Sequence, residues 1–171
     1  KRIAFAIRNL IKYWKVIIID NYSTDRTQEI AEDLGAEVFQ YQNNGYVETP
    51  EELAFVQSKV ITEYMSWSFV DEMWEKELLE KTIEITKEGI HDGIATVLKN
   101  YHYGIRDLTF MTYSLKWKKH SRHVHVIKKN QLECTGMIHR SLKFNCANVY
   151  YMPLDEKYYI HHLSTYNVKK F

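Results

Sequence analysis

Residues Val16 to Gln40 read VIIIDNYSTDRTQEIAEDLGAEVFQ. Val16 to Ile19 form an unbroken β-branched run that ends on Asp20-Asn21. Such a run predicts a strand buried on both faces, as in a parallel sheet. A polar turn follows, then an amphipathic helix with Ile30, Ala31 and Leu34 as its apolar stripe. Asp25 is placed to cap that helix, with Gln28 three residues on in capping-box spacing. Gly35 suits the position just past the helix end, and Ala36 to Tyr41 reads as a second short strand. The unit is strand–turn–helix–strand, with a carboxylate at the C-terminal end of its first strand. In open parallel sheets ligands bind at that end.

The same stretch carries a resemblance. VIIIDNYSTDRTQEIAEDLGAEV is similar to the "VVDNGSTDGT…A…GA.V" segment of family 2 glycosyltransferases. The resemblance implies a GT-A fold: α/β, Rossmann-like, with a mixed, mostly parallel central sheet flanked by helices. In that family the Asp at the strand end and the turn after it hold the nucleotide of a sugar donor. Carried over, this implicates Asp20, Asn21, Ser23 and Asp25. Tyr22 departs from the pattern, which has Gly there. The plainer reading of the segment is a generic Rossmann-like βαβ unit with a helix cap.

A chain of 171 residues suits one domain with a sizeable core. The expectation is a single domain over 1–171, with a nucleotide-binding half near 1–74 and an acceptor half near 75–171. A net charge of +1 provides no electrostatic footprint for nucleic acid or anionic membrane. The 13 Tyr and 4 Trp suit carbohydrate stacking, although large aromatics also fill cores. No apolar run approaches the roughly 18–20 residues of a membrane span, and no signal peptide is visible. The expected location is the cytoplasm. Cys134 and Cys146 lack metal-ligand spacing and read as buried thiols.

Arg2 to Ile7 alternates and reads as a first strand, and Arg8-Asn9 resembles the "RN" that closes that strand in one branch of the family. Only eight residues separate Ile7 from Val16, whereas a parallel crossover needs about a dozen. Either this strand is not a parallel neighbour of the next, or residues are missing from the numbering; the second is preferred. Gln42 to Val47 reads as a loop. Thr49-Pro50-Glu51-Glu52 is a strong helix start. Leu53, Val56, Val60, Ile61 and Tyr64 then fall at helical spacing. Ser66 to Val70 reads as a strand ending at Asp71-Glu72, and Glu75 to Glu88 as a helix stopped by Gly89. Further strands are expected at Asp92 to Tyr103, His123 to Lys128, Leu132 to Ile138, Val149 to Leu154 and Lys157 to His162. Leu108 to Leu115 is a strand or a loop lining, Lys116 to His123 a basic turn, and Ser164 to Phe171 a helical tail.

Three constellations carry the chemistry that the resemblance implies. GT-A enzymes end a strand in Asp-x-Asp, whose carboxylates hold Mg²⁺ or Mn²⁺ against the donor diphosphate. Here the motif is degenerate: Asp71 and Glu72 are present, but Phe69 or Met73 occupies the other Asp position, depending on register. The plainer reading is a helix cap. The second constellation is the His161-His162 pair near the C-terminus, where the family often places a histidine on the metal or the diphosphate. Adjacent strand residues face opposite ways, so at most one reaches the site, and His161 is favoured. The third is Val124 to Arg140, similar to the "RLF…G.vHE" segment of lipopolysaccharide-core glucosyltransferase-like members. Gly136 and His139 match it, and Arg140 stands in place of Glu. An acceptor hydroxyl needs a base; the candidates are His139, Glu133 and Asp107. His120, His123 and His125 lack the companions of a zinc site.

The resemblance thus implies a metal-dependent, inverting glycosyltransferase. It would use Mn²⁺ or Mg²⁺, a UDP- or GDP-sugar donor, and a glycan, lipid or protein acceptor. One rival is a non-catalytic relative that binds a nucleotide, glycan or protein. Another is a nucleotidyltransferase, which needs a glycine-rich basic loop that the sequence lacks.

Overall fold

Helix α1 spans Arg2–Leu10, where alternation had suggested a strand over Arg2 to Ile7. A strand would bury Phe5 with Ile3 and Ile7, yet Phe5 is 64% exposed. The helical period instead turns Ile3, Ala6 and Ile7 onto one buried face. The crossover problem dissolves, because this segment is a helix and not a strand. The computed structural model describes residues 2–43, 48–103, 108–111, 122–134 and 142–164. Asp107, His139, Gly136, Arg140, the turn at 116–121 and the tail beyond Ser164 lie outside them.

Strand β1 (Ile17–Asp20) leads through the turn into helix α2 (Thr27–Asp33) and strand β2 (Glu37–Gln40). β1 and β2 pair in parallel, with Asp20 opposite Gln40. Ile17, Ile18 and Ile19 are only half-buried, against the expectation of burial on both faces. The reason is topological: β1–β2 forms a two-stranded sheet of its own and has no partner on its other edge among the described residues. Ile3, Ile7, Val16, Ala31 and Ala36 pack together beneath it.

Helix α3 (Pro50–Lys59) starts as the sequence predicts: the Thr49 side chain accepts from the Glu52 N–H, with proline in the first turn. Strand β3 (Tyr64–Ser66) follows, and Tyr64 belongs to it rather than to the helix. The strand expected over Ser66 to Val70 stops at Ser66. Phe69 and Val70 are about half exposed, and the Glu72 N–H donates to the Phe69 carbonyl at 3.0 Å, closing a turn. Strand β4 (Glu72–Trp74) therefore begins at the acidic pair instead of ending there. The Asn9 side chain grips β4 twice, donating to the Trp74 carbonyl and accepting from its N–H.

Helix α4 (Lys76–Glu88) ends at Gly89, whose φ of 69° is left-handed and suits glycine. The remaining strands are β5 (Gly93–Tyr103), β6 (Leu108–Met111), β7 (Arg122–Lys128), β8 (Leu132–Cys134), β9 (Leu142–Phe144), β10 (Val149–Tyr151) and β11 (Tyr159–Ser164). The large sheet runs β3-β7-β5-β11-β4, with β6 and β10 also on β5. It is mixed, as expected, but not mostly parallel: β10 and β11 lie parallel to β5, while its other pairings are antiparallel. α4 covers one face through Leu78, Leu79 and Ile85 against Ile94, Val126 and Ile160. α3 covers the other through Leu53 and Val56 against Met65 and Ile127. β8 and β9 form a separate hairpin. Cys134 and Cys146 are free and half-buried.

Candidate active site

Asp20 closes β1 and is 4% exposed. Its Oδ2 accepts from the Ser23 N–H at 2.9 Å and from Gln28 Nε2 at 2.8 Å, and its Oδ1 accepts from the Ser23 hydroxyl. Burial pushes this carboxyl up, but the Ser23 and Gln28 hydrogen bonds outweigh burial and hold it below the usual range. Asp20 therefore builds the turn. Gln28, expected in a capping box, is spent on Asp20. Arg26 occupies the N-cap position without a side-chain cap, while Asp25 Oδ1 accepts from the Thr27 N–H and hydroxyl. Those bonds hold Asp25 low as well.

Asn21 Nδ2 donates to the Asn43 carbonyl at 2.8 Å, and its Oδ1 accepts from the Asn43 N–H at 2.9 Å. The pair clips the turn after β1 to the loop after β2. Asn43 Nδ2 in turn donates to Glu52 on α3. Between Asn21 and Ser23, Tyr22 holds φ at +55° with its side chain 55% exposed. Few non-glycine residues accept that conformation. The turn thus keeps the backbone shape that glycine supplies in the family pattern, yet carries an aromatic ring at its tip.

Asp71 lies just ahead of β4, and β11 pairs antiparallel with β4 so that His162 stands opposite Glu72 and His161 opposite Met73. His162 Nε2 comes within 3.3 Å of Asp71 Oδ2, both side chains about a quarter exposed. His161 faces the other way and meets Glu75 Oε1 at 2.7 Å, at the N-cap of α4. The expected trio of Asp71, Glu72 and His161 is thus divided: the structure joins Asp71 to His162 and His161 to Glu75. Glu72 turns inward, its Oε2 accepting from the Ser68 hydroxyl at 2.7 Å and the Phe69 N–H at 3.1 Å. Burial pushes Glu72 above the usual carboxylate range despite those bonds.

Ile19, next to Asp20, and Val70, next to Asp71, both line one cavity of about 500 Å³. Glu133 lies on the separate β8–β9 hairpin, 3.4 Å from Lys143. Hydrogen bonds from Asn145 and Lys143 hold it below the usual range. His125 is half-buried beside Trp74 and His123, with its Nδ1 shielded from solvent, and desolvation drives it down to about 4, so it is neutral at physiological pH. Among the described residues no group of three or more His, Cys, Asp or Glu side chains is placed to hold a metal ion. Among them, too, no helix is long and apolar enough to cross a membrane.

Sequence reasoning named Gln28 as a cap and His162 as the less favoured of the pair, and it passed over Asn43. Each role arises from a pairing register or a loop-to-loop contact, for which local spacing carries no signal. Tyr22 was legible as the residue in the family's glycine position.

The fold resembles that of solved glycosyltransferases. S. aureus TarS 1-349 superposes with a TM-score of 0.64 at 16% identity, covering 95% of this chain and 57% of that one. The same protein in complex with UDP-GlcNAc gives 0.60 at 15% identity, covering 90% and 50%. In complex with UDP it gives 0.60 at 14%, covering 90% and 52%. The chain therefore spans about half the length of these structures, and the likeness establishes the GT-A fold. No curated protein matches the chain. The glycosyl transferase family 2 profile matches residues 1–146, well over half of the chain, which therefore belongs to that family.

Proposed function

We propose that this chain is the donor-binding core of a glycosyltransferase that moves a sugar from a nucleotide diphosphate to an acceptor hydroxyl. The observation that carries this reading is the approach of His162 to Asp71 at 3.3 Å, across the pairing of β11 with β4, in a chain of glycosyl transferase family 2. The Asp20–Gln28 turn and the Asn21–Asn43 clip pre-organise a nucleotide seat, with Ser23 and Asp25 on its rim. UDP is the favoured nucleotide, because TarS, whose fold this chain shares, was solved with UDP and UDP-GlcNAc. The acceptor is a glycan, lipid or protein hydroxyl.

A carboxylate oxygen and an imidazole nitrogen at 3.3 Å suit a divalent ion of the Mn²⁺ or Mg²⁺ class, with donor phosphate oxygens as its remaining ligands. Asp71 and His162 would hold it; His161 and Glu72 are engaged elsewhere. When bound, the ion neutralises the leaving diphosphate. The acceptor oxygen bonds to the anomeric carbon as the bond to the diphosphate breaks. The electron pair leaves with the diphosphate and the hydroxyl proton passes to a base. A single in-line step inverts the configuration. Among His139, Asp107 and Glu133, the depressed Glu133 suits a base least, and His139 leads.

The acceptor half is assigned to 75–171 and the nucleotide half to 1–74. Two unpaired cysteines suit a reducing compartment such as the cytoplasm. One observation favours the non-catalytic alternative: Glu72 is turned inward, which leaves two side chains for the ion.

Calorimetric titration of UDP-GlcNAc, UDP-glucose and GDP-mannose, with Mn²⁺ and then with EDTA, tests the proposal. Metal-dependent binding of a UDP-sugar with slow hydrolysis supports it. Metal-independent binding without turnover supports the non-catalytic reading. No binding of any donor overturns both.

A further inference from the structure

Strand β4 pairs only with β11 among the described residues. Its outer edge is closed by groups that belong to no strand. The Glu72 N–H donates to the Phe69 carbonyl. The Asn9 side chain meets Trp74 with both halves of its amide: Nδ2 donates to the Trp74 carbonyl at 2.9 Å and Oδ1 accepts from the Trp74 N–H at 2.8 Å. Trp74 is buried, so losing Asn9 leaves two backbone groups orphaned away from water. Only the primary amides of Asn and Gln set a neutral donor and an acceptor side by side, as a neighbouring strand does.

The grip on Trp74 extends to Asp71, which stands three residues earlier in the chain. Trp74 Nε1 donates to Ser68 Oγ at 3.2 Å, and the Ser68 hydroxyl donates to Glu72 Oε2 at 2.7 Å. Glu72 also accepts from the Phe69 N–H, so the turn that presents Asp71 is tied to Trp74. On its other side α1 belongs to the β1–β2 unit, through Ile3 and Ile7 against Val16, Ala31 and Ala36. Trp14, on the link from α1 to β1, stands edge-on to the Trp74 ring at 4.9 Å. No strand pairing joins the two sheets among the described residues. The Asn9 amide is therefore a polar tie between the unit that ends in the Asp20 turn and the strand that follows Asp71.

We infer, on the glycosyltransferase reading proposed above, that Asn9 is a positioning residue for metal-dependent donor binding. It acts through the β4 backbone, fixing the depth at which Asp71 meets His162. His162 is held independently by the pairing of β11 with β5. Without the amide, β4 draws away from α1 until water reaches the Trp74 backbone, and Asp71 moves relative to His162.

Calorimetric titration of UDP at a series of Mn²⁺ concentrations tests this on the parent and three variants. Asn9→Leu keeps the side-chain volume and loses both bonds. Asn9→Gln keeps the amide on a longer stem. Ile85→Val removes one core methyl from α4 and leaves the amide pair intact. The Mn²⁺ concentration for half-maximal UDP binding should rise at least about tenfold in Asn9→Leu, as for loss of a group that orients metal ligands. Asn9→Gln should recover most of that loss, and Ile85→Val should bind as the parent does although its Tm falls. If Asn9→Leu does not fold, Asn9→Asp, which keeps an acceptor for the Trp74 N–H and loses the donor to its carbonyl, is read in the same way. An unchanged Mn²⁺ requirement in the Asn9 variants overturns the inference. So does an equal rise in Ile85→Val, which would make the effect one of general stability. A parent that binds UDP without Mn²⁺, or not at all, sinks the metal-dependent reading itself and the role of Asn9 with it. The parent's own titration thus tells the two failures apart.

Discussion

His162 Nε2 lies 3.3 Å from Asp71 Oδ2, across the antiparallel pairing of β11 with β4. Residues that are 91 positions apart in sequence thereby form one candidate ligand pair, and the neighbouring His161 is turned to Glu75 instead.

The two histidines should separate by variant. Asp71→Asn should lower sugar transfer by about 10²-fold or more, with stability changed by less than about 1 kcal/mol. His162→Ala should weaken metal-dependent donor binding by about 10–100-fold. His161→Ala should leave binding unchanged and lower Tm, since it removes the Glu75 partner at the α4 N-cap. Donor titrations and thermal melts of the three variants check this. Equal binding loss in both histidine variants would sink the assignment of His162.

Glu72 gives an opposite outcome. Its folded-state pKa is raised by burial above 4.5, so ionising it as pH rises disfavours the folded state. Glu72→Gln removes that cost while keeping an acceptor for Ser68 and the Phe69 N–H. The variant should melt higher than the parent at pH 8, and the gap should close as pH falls below the ordinary carboxylate range. Transfer activity should stay within about twofold, as for a residue outside the ligand set. Loss of metal-dependent binding would make Glu72 a ligand after all.

Asp20 carries the reverse sign. Its folded-state pKa lies below 3.8, so its stabilisation is present above that value and is lost as pH falls through the folded value. Asp20→Asn should cost about 1–3 kcal/mol at pH 7, through weakened bonds to Ser23 and Gln28. The difference from the parent should shrink in acid. Urea melts from pH 7 down to pH 3 measure it, and a constant gap across that range would refute the charge-based account.

Tyr22 sits at φ +55° with an exposed ring. Relief of the left-handed strain is worth about 1–2 kcal/mol, against about 0.5–1 kcal/mol of backbone entropy for a glycine. Tyr22→Gly should therefore leave stability unchanged or raise it slightly. If the ring stacks on the bound donor, affinity should fall about 2–10-fold. Unchanged affinity in calorimetry would leave Tyr22 without a binding role.

The segment from Val16 to Gln40 determined the strand, the turn, the helix and the second strand, because each follows from neighbours within a few residues. The Thr49 cap and the α4 stop at Gly89 were legible for the same reason. Arg2 to Ile7 was not: a short run with apolar residues at Ile3, Phe5 and Ile7 satisfies two periods at once, and only packing against Ala31 and Val16 chose the helix. Nor could spacing show that Glu72 folds back on Ser68, which ends one strand and starts another. The choice of His162 over His161 depended on a register between strands distant in sequence. Local chemistry named the residue types of the site, but long-range strand pairing decided which of them meet.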